Sequence, residues 1–177
     1  DMILSIDADE EVSPELQAEL ISIKQNSSKG VFALNRLTNY CGTWVYHSGW
    51  YPDRKVRLFP KEIKWEGDLV HETLSMPSGI QVVILKSHLY HYSYYSHEQH
   101  RKRADHYSSL TAMKYVQAGK VVYVGQPVLS ACIRFFSMYI LKRGFLDGKQ
   151  GFHIARISAA SNYFKYKEVQ RLKRENN

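Results

Sequence analysis

The apolar run Met2-Ile3-Leu4-Ser5-Ile6 is closed at once by Asp7-Ala8-Asp9. The run reads as a buried strand, and two carboxylates at its carboxyl end then stand where open α/β sheets bind ligands. Strand alternation sends the side chains of Asp7 and Asp9 to the same side, so both can converge on one hard cation and, through it, on a phosphate. A calcium-binding EF-hand does not fit, because Val12 rather than glycine takes the sixth position of the loop.

Downstream, strand-like and helix-like segments alternate. Ser13 suits an N-cap, Pro14 the first helical position and Glu15 the positive end of the helix dipole, so a helix runs to about Gln25 and stops at Asn26-Ser27-Ser28-Lys29-Gly30. Val31 to Leu37 reads as a strand. A polar, aromatic-rich loop through Tyr51-Pro52-Asp53 leads to a second, alternating strand over Lys55 to Phe59, closed by Pro60. Gly67-Asp68 marks a turn, and Val82 to Leu85 forms a short strand that enters the tyrosine-rich Leu89-Tyr90-His91-Tyr92-Ser93. Ser96 with Gln99 opens a long helix that Gly119 ends. Val128, Cys132, Phe136 and Ile140 then fall on one helical face, Lys142-Arg143-Gly144 breaks that helix, and a last one covers about Phe152 to Lys173. The fold class is therefore α/β.

Charge is distributed unevenly along this order. Residues 1–85 hold 8 Lys and Arg against 12 Asp and Glu, whereas residues 86–177 hold 16 against 5. The acidic half suits a cation, and the basic half an anionic surface or nucleic acid. The order of elements separates a mostly strand-bearing part at residues 1–95 from a helical, basic region at 96–177. Cys41 and Cys132 are far apart and lack metal-binding spacing, which fits a reducing compartment. Val128 to Leu141 is mostly apolar but contains Arg134 and falls short of the about 20 residues a membrane-spanning helix needs.

Several segments occur in a telling order: Ser5-Ile6-Asp7-Ala8-Asp9-Glu10, Asn35-Arg36, Gly49-Trp50-Tyr51-Pro52, Arg57-Leu58-Phe59, Gly67-Asp68-Leu69-Val70-His71-Glu72, His91-Tyr92-Ser93 and Lys142-Arg143-Gly144-Phe145-Leu146-Asp147-Gly148. As a set they resemble family 2 glycosyltransferases of the bacterial lipopolysaccharide-core β-1,4-glucosyltransferase type, over essentially the whole chain. The resemblance implies a GT-A (Rossmann-like) fold, present here in part, followed by amphipathic helices. It also implies an inverting transfer from a nucleoside-diphosphate sugar, UDP-hexose being the expected donor, with Mg²⁺ or Mn²⁺. In that family the DxD motif follows an amino-terminal nucleotide-binding half. Here it stands at residue 7, so the expectation is a truncated domain with little activity by itself.

Within that expectation each residue type has a task. Glycosyl transfer builds negative charge on the departing diphosphate, which a divalent ion held by Asp9 and Asp7 would neutralise; Asp7 also leans toward the donor's ribose in the family pattern. His91, at the end of a strand-like stretch, is the candidate third ligand for Mn²⁺, and Arg57 is placed on the diphosphate, with pairing to Asp53 or Glu66 as the competing reading. The attacking hydroxyl must lose a proton, so a carboxylate base is required; Glu72 takes that role, with Asp68 as its rival. A zincin site is excluded because His71-Glu72-Thr73-Leu74-Ser75 lacks the second histidine of HExxH. Trp50, Tyr51 and Trp65 offer aromatic faces to an acceptor sugar, with core packing as the alternative.

In the carboxyl region, Phe135-Phe136, Met138-Tyr139-Ile140 and Phe145 interleave with Arg134, Lys142, Arg143 and Lys149. Such a mixture suits an anionic membrane surface carrying a lipid-linked or lipopolysaccharide-core acceptor. The expected location is cytoplasmic, peripheral on the inner face of the bacterial cytoplasmic membrane. A nucleic-acid-binding module would use Arg101-Lys102-Arg103 but leaves Asp7, Asp9 and Glu72 without purpose. A non-catalytic membrane-surface module is the other alternative.

Overall fold

A computed structural model of the chain describes residues 1–66 and 73–175. Strands β1 (Met2–Leu4) and β2 (Glu10–Val12) precede helix α1 (Pro14–Gln25). Then come β3 (Val31–Tyr40), β4 (Thr43–Val45), β5 (Asp53–Pro60), the short pair β6 (Trp65–Glu66) and β7 (Thr73–Leu74), and β8 (Val82–Tyr94). Helices α2 (His97–Gln117), α3 (Gln126–Phe136) and α4 (Gly148–Glu175) close the chain, with a π-helical turn at Ser137–Leu141 and a 3-10 turn at Gly144–Asp147 between the last two. Strands and helices together make this an α/β protein, compatible with a partial Rossmann-like domain.

Two compact units are present, one of Asp1–Thr38 with Pro52–Tyr92, the other of Asn39–Tyr51 with Ser93–Asn177. The main sheet has the order β1-β5-β3-β8-β2, with β4 pairing β3. The β1–β5, β3–β5 and β2–β8 pairs are antiparallel.

In the first unit, α1 covers the sheet because its signals agree. Ser13 Oγ accepts from Leu16 N at 3.1 Å, Pro14 starts the helix and Asn26 caps its end. Its apolar side delivers Leu16, Leu20 and Ile23 onto Phe32, Leu34, Leu58, Leu85 and Leu89. A second cluster gathers Val31, Phe59 and Ile63 with Val56 and Leu74.

The first strand departs from expectation. It ends at Leu4 and lies at the edge of the sheet, paired with β5 alone (Ile3 opposite Phe59, Leu4 opposite Leu58). Ile3, Leu4 and Ile6 are consequently exposed rather than buried. Asp7-Ala8-Asp9 therefore forms a turn, not the end of a strand, and strand alternation does not govern where its carboxylates point. Glu10 and Glu11 form β2, and Glu10 is buried.

In the second unit, Tyr40, Val45, Met138, Ile154 and Ala155 form the core, with Trp50, Tyr94, Phe135 and Tyr139 packed around them. Ser96 caps α2 as its sequence indicates, its Oγ accepting from Gln99 N at 3.1 Å. Helix α4 extends past both expected ends. Gly151 makes its start possible, since a Cβ there would stand 1.8 Å from the Gly144 carbonyl oxygen.

Candidate functional site

In the first unit, four sheet strands and one turn bring charged side chains into a single network. Register places Glu10 of β2 opposite His91 of β8, and Arg36 of β3 opposite Asp53 of β5. The turn before β2 is tied down by Glu10 itself. Its Oε2 accepts from Asp7 N at 2.9 Å, and its own N–H donates to the Asp7 carbonyl at 3.0 Å. Glu10 Oε1 meanwhile accepts from Arg57 Nη2 at 2.8 Å and from Arg36 Nη1 at 3.3 Å. Arg57 Nη2 also donates to Asp7 Oδ2, and Arg36 Nε to Asp53 Oδ2 at 2.8 Å. A chain of alternating charge results: Asp53, Arg36, Glu10, Arg57, Asp7.

Burial decides what this network does. The Glu10 carboxylate is fully buried and the Arg57 side chain nearly so, an arrangement tolerable only because each charge meets an opposite one. Although burial opposes it, hydrogen bonding to Asp7 and Glu10 raises the Arg57 pKa above its ordinary value. Asp7 and Asp9, by contrast, keep about half of their side chains in contact with solvent. Asp9 Oδ2 lies 3.4 Å from His91 Nε2, and His91 Nδ1 lies 3.4 Å from Thr38 Oγ1. Tyr92 N donates to the Asp9 carbonyl at 2.9 Å, which fixes the turn against β8. Burial and the nearby Arg36 charge push the His91 pKa down, against the opposing pull of Asp9 and Glu10, so the ring is neutral with a lone pair to offer at neutral pH.

Asp9 and His91, expected as metal ligands from sequence, thus come together. Asp7 joins them in sequence but is engaged by Arg57. Among the described residues no group of three or more His, Cys, Asp and Glu side chains is arranged to hold a metal ion. One exposed carboxylate beside one neutral imidazole is still a fitting donor pair for Mn²⁺ when substrate oxygens supply the rest, since ions of this class are commonly held by one or two protein groups plus phosphate. Arg57 pairs with Asp7 and Glu10, where the competing reading had Asp53 or Glu66; Asp53 is taken by Arg36 and Lys55.

The remaining expected residues are spread over both units. Asp68 and Glu72, between β6 and β7 in the chain, lie outside the described residues. Trp65 is partly exposed and meets Phe59 edge-on at 6.3 Å. In the second unit, Trp50 is half-buried and packs edge-on against Tyr40 at 5.5 Å and against His100 at 5.6 Å. Tyr51 meets Tyr46 at 5.7 Å.

Sequence reasoning missed Glu10, Arg36 and Asp53. A signal was there at Arg57, which stands between Val56 and Leu58-Phe59, since a cation buried among such residues requires carboxylates. It also missed a cluster in the second unit, where the buried Asp147 carboxylate accepts from His47 N at 3.0 Å, His47 Nδ1 at 2.9 Å and Ser48 Oγ at 3.2 Å. That cluster anchors the 46–49 loop, whose Ser48 and Gly49 both take positive φ.

No family model and no solved structure matches the chain. Curated relatives do match. An uncharacterized glycosyltransferase of Rickettsia typhi is 26% identical over 183 residues, covering 97% of this chain and 63% of that protein. Similar proteins of Rickettsia felis and Rickettsia prowazekii, also named uncharacterized glycosyltransferases, are each 26% identical and covered to 64% and 63%. The chain thus spans less than two thirds of the length of these relatives.

Proposed function

We propose that this chain carries the metal- and acceptor-binding part of an inverting family 2 glycosyltransferase, which moves a hexose from a nucleoside diphosphate, UDP-hexose being the expected donor, to a lipopolysaccharide-core or other cell-surface glycan. The observation that supports it best is the Asp9–His91 pair, presented at the surface by a turn that Glu10 and Arg57 hold in place. The relatives' names agree with this chemistry. When bound, Mg²⁺ or Mn²⁺ would neutralise the charge that develops on the leaving diphosphate. Asp9 and His91 are the residues to hold it, and Arg57 keeps Asp7 within reach of the donor. Glu72 is the proposed base that accepts the proton of the acceptor hydroxyl, with Asp68 as the alternative. Trp65 offers a face for a sugar ring; Trp50 and Tyr51 are the other proposed acceptor contacts. The acceptor is lipid-linked and is met on the cytoplasmic side of an anionic membrane.

The rival reading, a nucleic-acid-binding module, draws on the start of α2. Of Arg101-Lys102-Arg103, Lys102 is paired with Glu98 at 2.9 Å, and the Arg103 guanidinium sits 4.9 Å over the Tyr94 ring.

Titrating UDP-glucose into the chain with and without Mn²⁺ tests the proposal. Binding that strengthens about tenfold or more with the ion fits a metal-bridged diphosphate. Binding indifferent to Mn²⁺ contradicts it.

A further inference from the structure

Helix α3 is apolar on the side where a surface helix is ordinarily polar. Pro127 is buried on its inner side, and Met138 just beyond its end is buried with it. The helical period then turns Val128, Leu129, Cys132, Ile133 and Phe136 outward. Val128, Leu129, Ile133 and Phe136 are 55% to 62% exposed. The segment entering α3 adds Val121, Tyr123 and Val124, the last 91% exposed, and the π-helical turn that leaves it adds Leu141. An amphipathic helix ordinarily buries its apolar side, and an apolar patch turned outward with a polar rim marks an interaction site.

The rim identifies the partner. Between Asp105 and Asp147 there is no Asp or Glu, yet Lys114, Lys120, Arg134, Lys142 and Arg143 all fall there. Lys120, Arg134, Lys142 and Arg143 are exposed. A second copy of the chain is the poorer occupant, because two-fold pairing through this face would bring the same cations together with no carboxylate from residues 106–146 to meet them. Lipid phosphate supplies the missing anion, and acyl chains accept Val124 and Ile133 without asking for hydrogen bonds. No helix among the described residues is long and apolar enough to cross a membrane, so the surface lies on the bilayer.

The structure assigns residues 121–124 and the outward face of α3 as a docking surface for an anionic lipid bilayer. Val121, Tyr123, Val124, Val128, Leu129 and Ile133 enter the headgroup boundary while Arg134 and Lys142 sit on lipid phosphates. This deepens the proposed function and rests on it only for the reason a membrane is visited. Donor and metal are absent from the test below, so failure of either idea leaves the other standing.

Flotation of the 177-residue chain with vesicles of phosphatidylcholine, with and without phosphatidylglycerol, reads the surface directly. The chain is expected to float with the anionic vesicles and to stay largely in the aqueous fraction with the neutral ones. Arg134→Gln and Lys142→Gln each weaken binding about fivefold, and Val124→Asp with Ile133→Asp weakens it about tenfold or more with unchanged circular dichroism. Exposed Cys132 reports independently: an environment-sensitive fluorophore on it shifts to the blue when anionic vesicles are added. A chain that ignores anionic vesicles overturns the assignment. So does binding untouched by the Val124 and Ile133 changes, or a concentration-dependent dimer that blue-shifts the Cys132 probe without lipid.

Discussion

Arg57 holds two carboxylates at once, and one of them, on Glu10, is wholly removed from water. Truncating Arg57 to alanine leaves that buried charge with the longer contact to Arg36 at 3.3 Å as its remaining ion pair, beside the Asp7 N–H. The expected loss is about 3 kcal/mol of stability, visible as a lower midpoint in urea unfolding; a shift within error would show that the network is solvated. The residue scale also shows where the sequence was readable. Asp7, Asp9 and His91 could be singled out because their types and positions imply a chemistry. Glu10 could not, since a glutamate in a run of acidic residues looks like surface until the partners that bury it, 26 and 47 positions away, are known. Asp7 and Asp9 were expected on one side of a strand. A turn closed by the Glu10 side chain placed them by hydrogen bonds instead.

At the scale of elements, local signals predicted α1 and α2 well. Ser13-Pro14-Glu15 and Ser96 with Gln99 carry their own start instructions, and caps act within a few residues. Strand lengths were underestimated: β8 runs from Val82 to Tyr94 and β3 from Val31 to Tyr40. Polar residues such as His91 and Asn39 are kept in strands by neighbours that local pattern cannot see. The start of α4 depends on a close backbone crossing at Gly144 and Gly151. Gly151→Ala is therefore expected to destabilise by about 3 kcal/mol, measured by thermal unfolding; an unchanged midpoint would mean the crossing relaxes freely.

Between α2 and its neighbours in the second unit, His100 is buried against Tyr40, Trp50 and Tyr94, with Tyr40 Oη and His100 Nδ1 2.9 Å apart. Burial, with smaller contributions from the His97 and Arg103 charges, holds its pKa down to about 4 from 6.5. The unfolded chain binds a proton at His100 throughout the interval between these values and the folded chain does not. Stability is therefore fully present above pH 6.5 and falls as pH drops toward about 4, by on the order of 2–3 kcal/mol in all. His153, whose pKa is also held down by burial, His97 and Arg156, adds in the same direction. His100→Gln should flatten most of this slope in unfolding experiments across that range; a slope that survives assigns it elsewhere.

For the molecule as a whole, the charge asymmetry of the sequence has a structural counterpart within each unit. The acidic surplus is spent on the Asp7–Glu10–Asp53 carboxylates that neutralise buried Arg57 and part-buried Arg36 while Asp9 stays exposed beside His91. The basic surplus rims an apolar face on α3 whose periodicity was legible in Val128, Cys132, Phe136 and Ile140. What the sequence could not reveal was which way that face turns, because an amphipathic pattern is the same whether its apolar side meets a core or a bilayer.

The central claim is that Asp9 and His91 hold a divalent ion that carries the diphosphate of a sugar donor. Electron paramagnetic resonance of Mn²⁺, titrated with the chain in the presence of UDP-glucose, tests it most directly. Free-ion signal should fall with the unaltered chain and recover by about tenfold in apparent affinity with Asp9→Ala and with His91→Ala, each variant retaining its circular dichroism. Equal Mn²⁺ uptake by the unaltered chain and both variants would contradict the account.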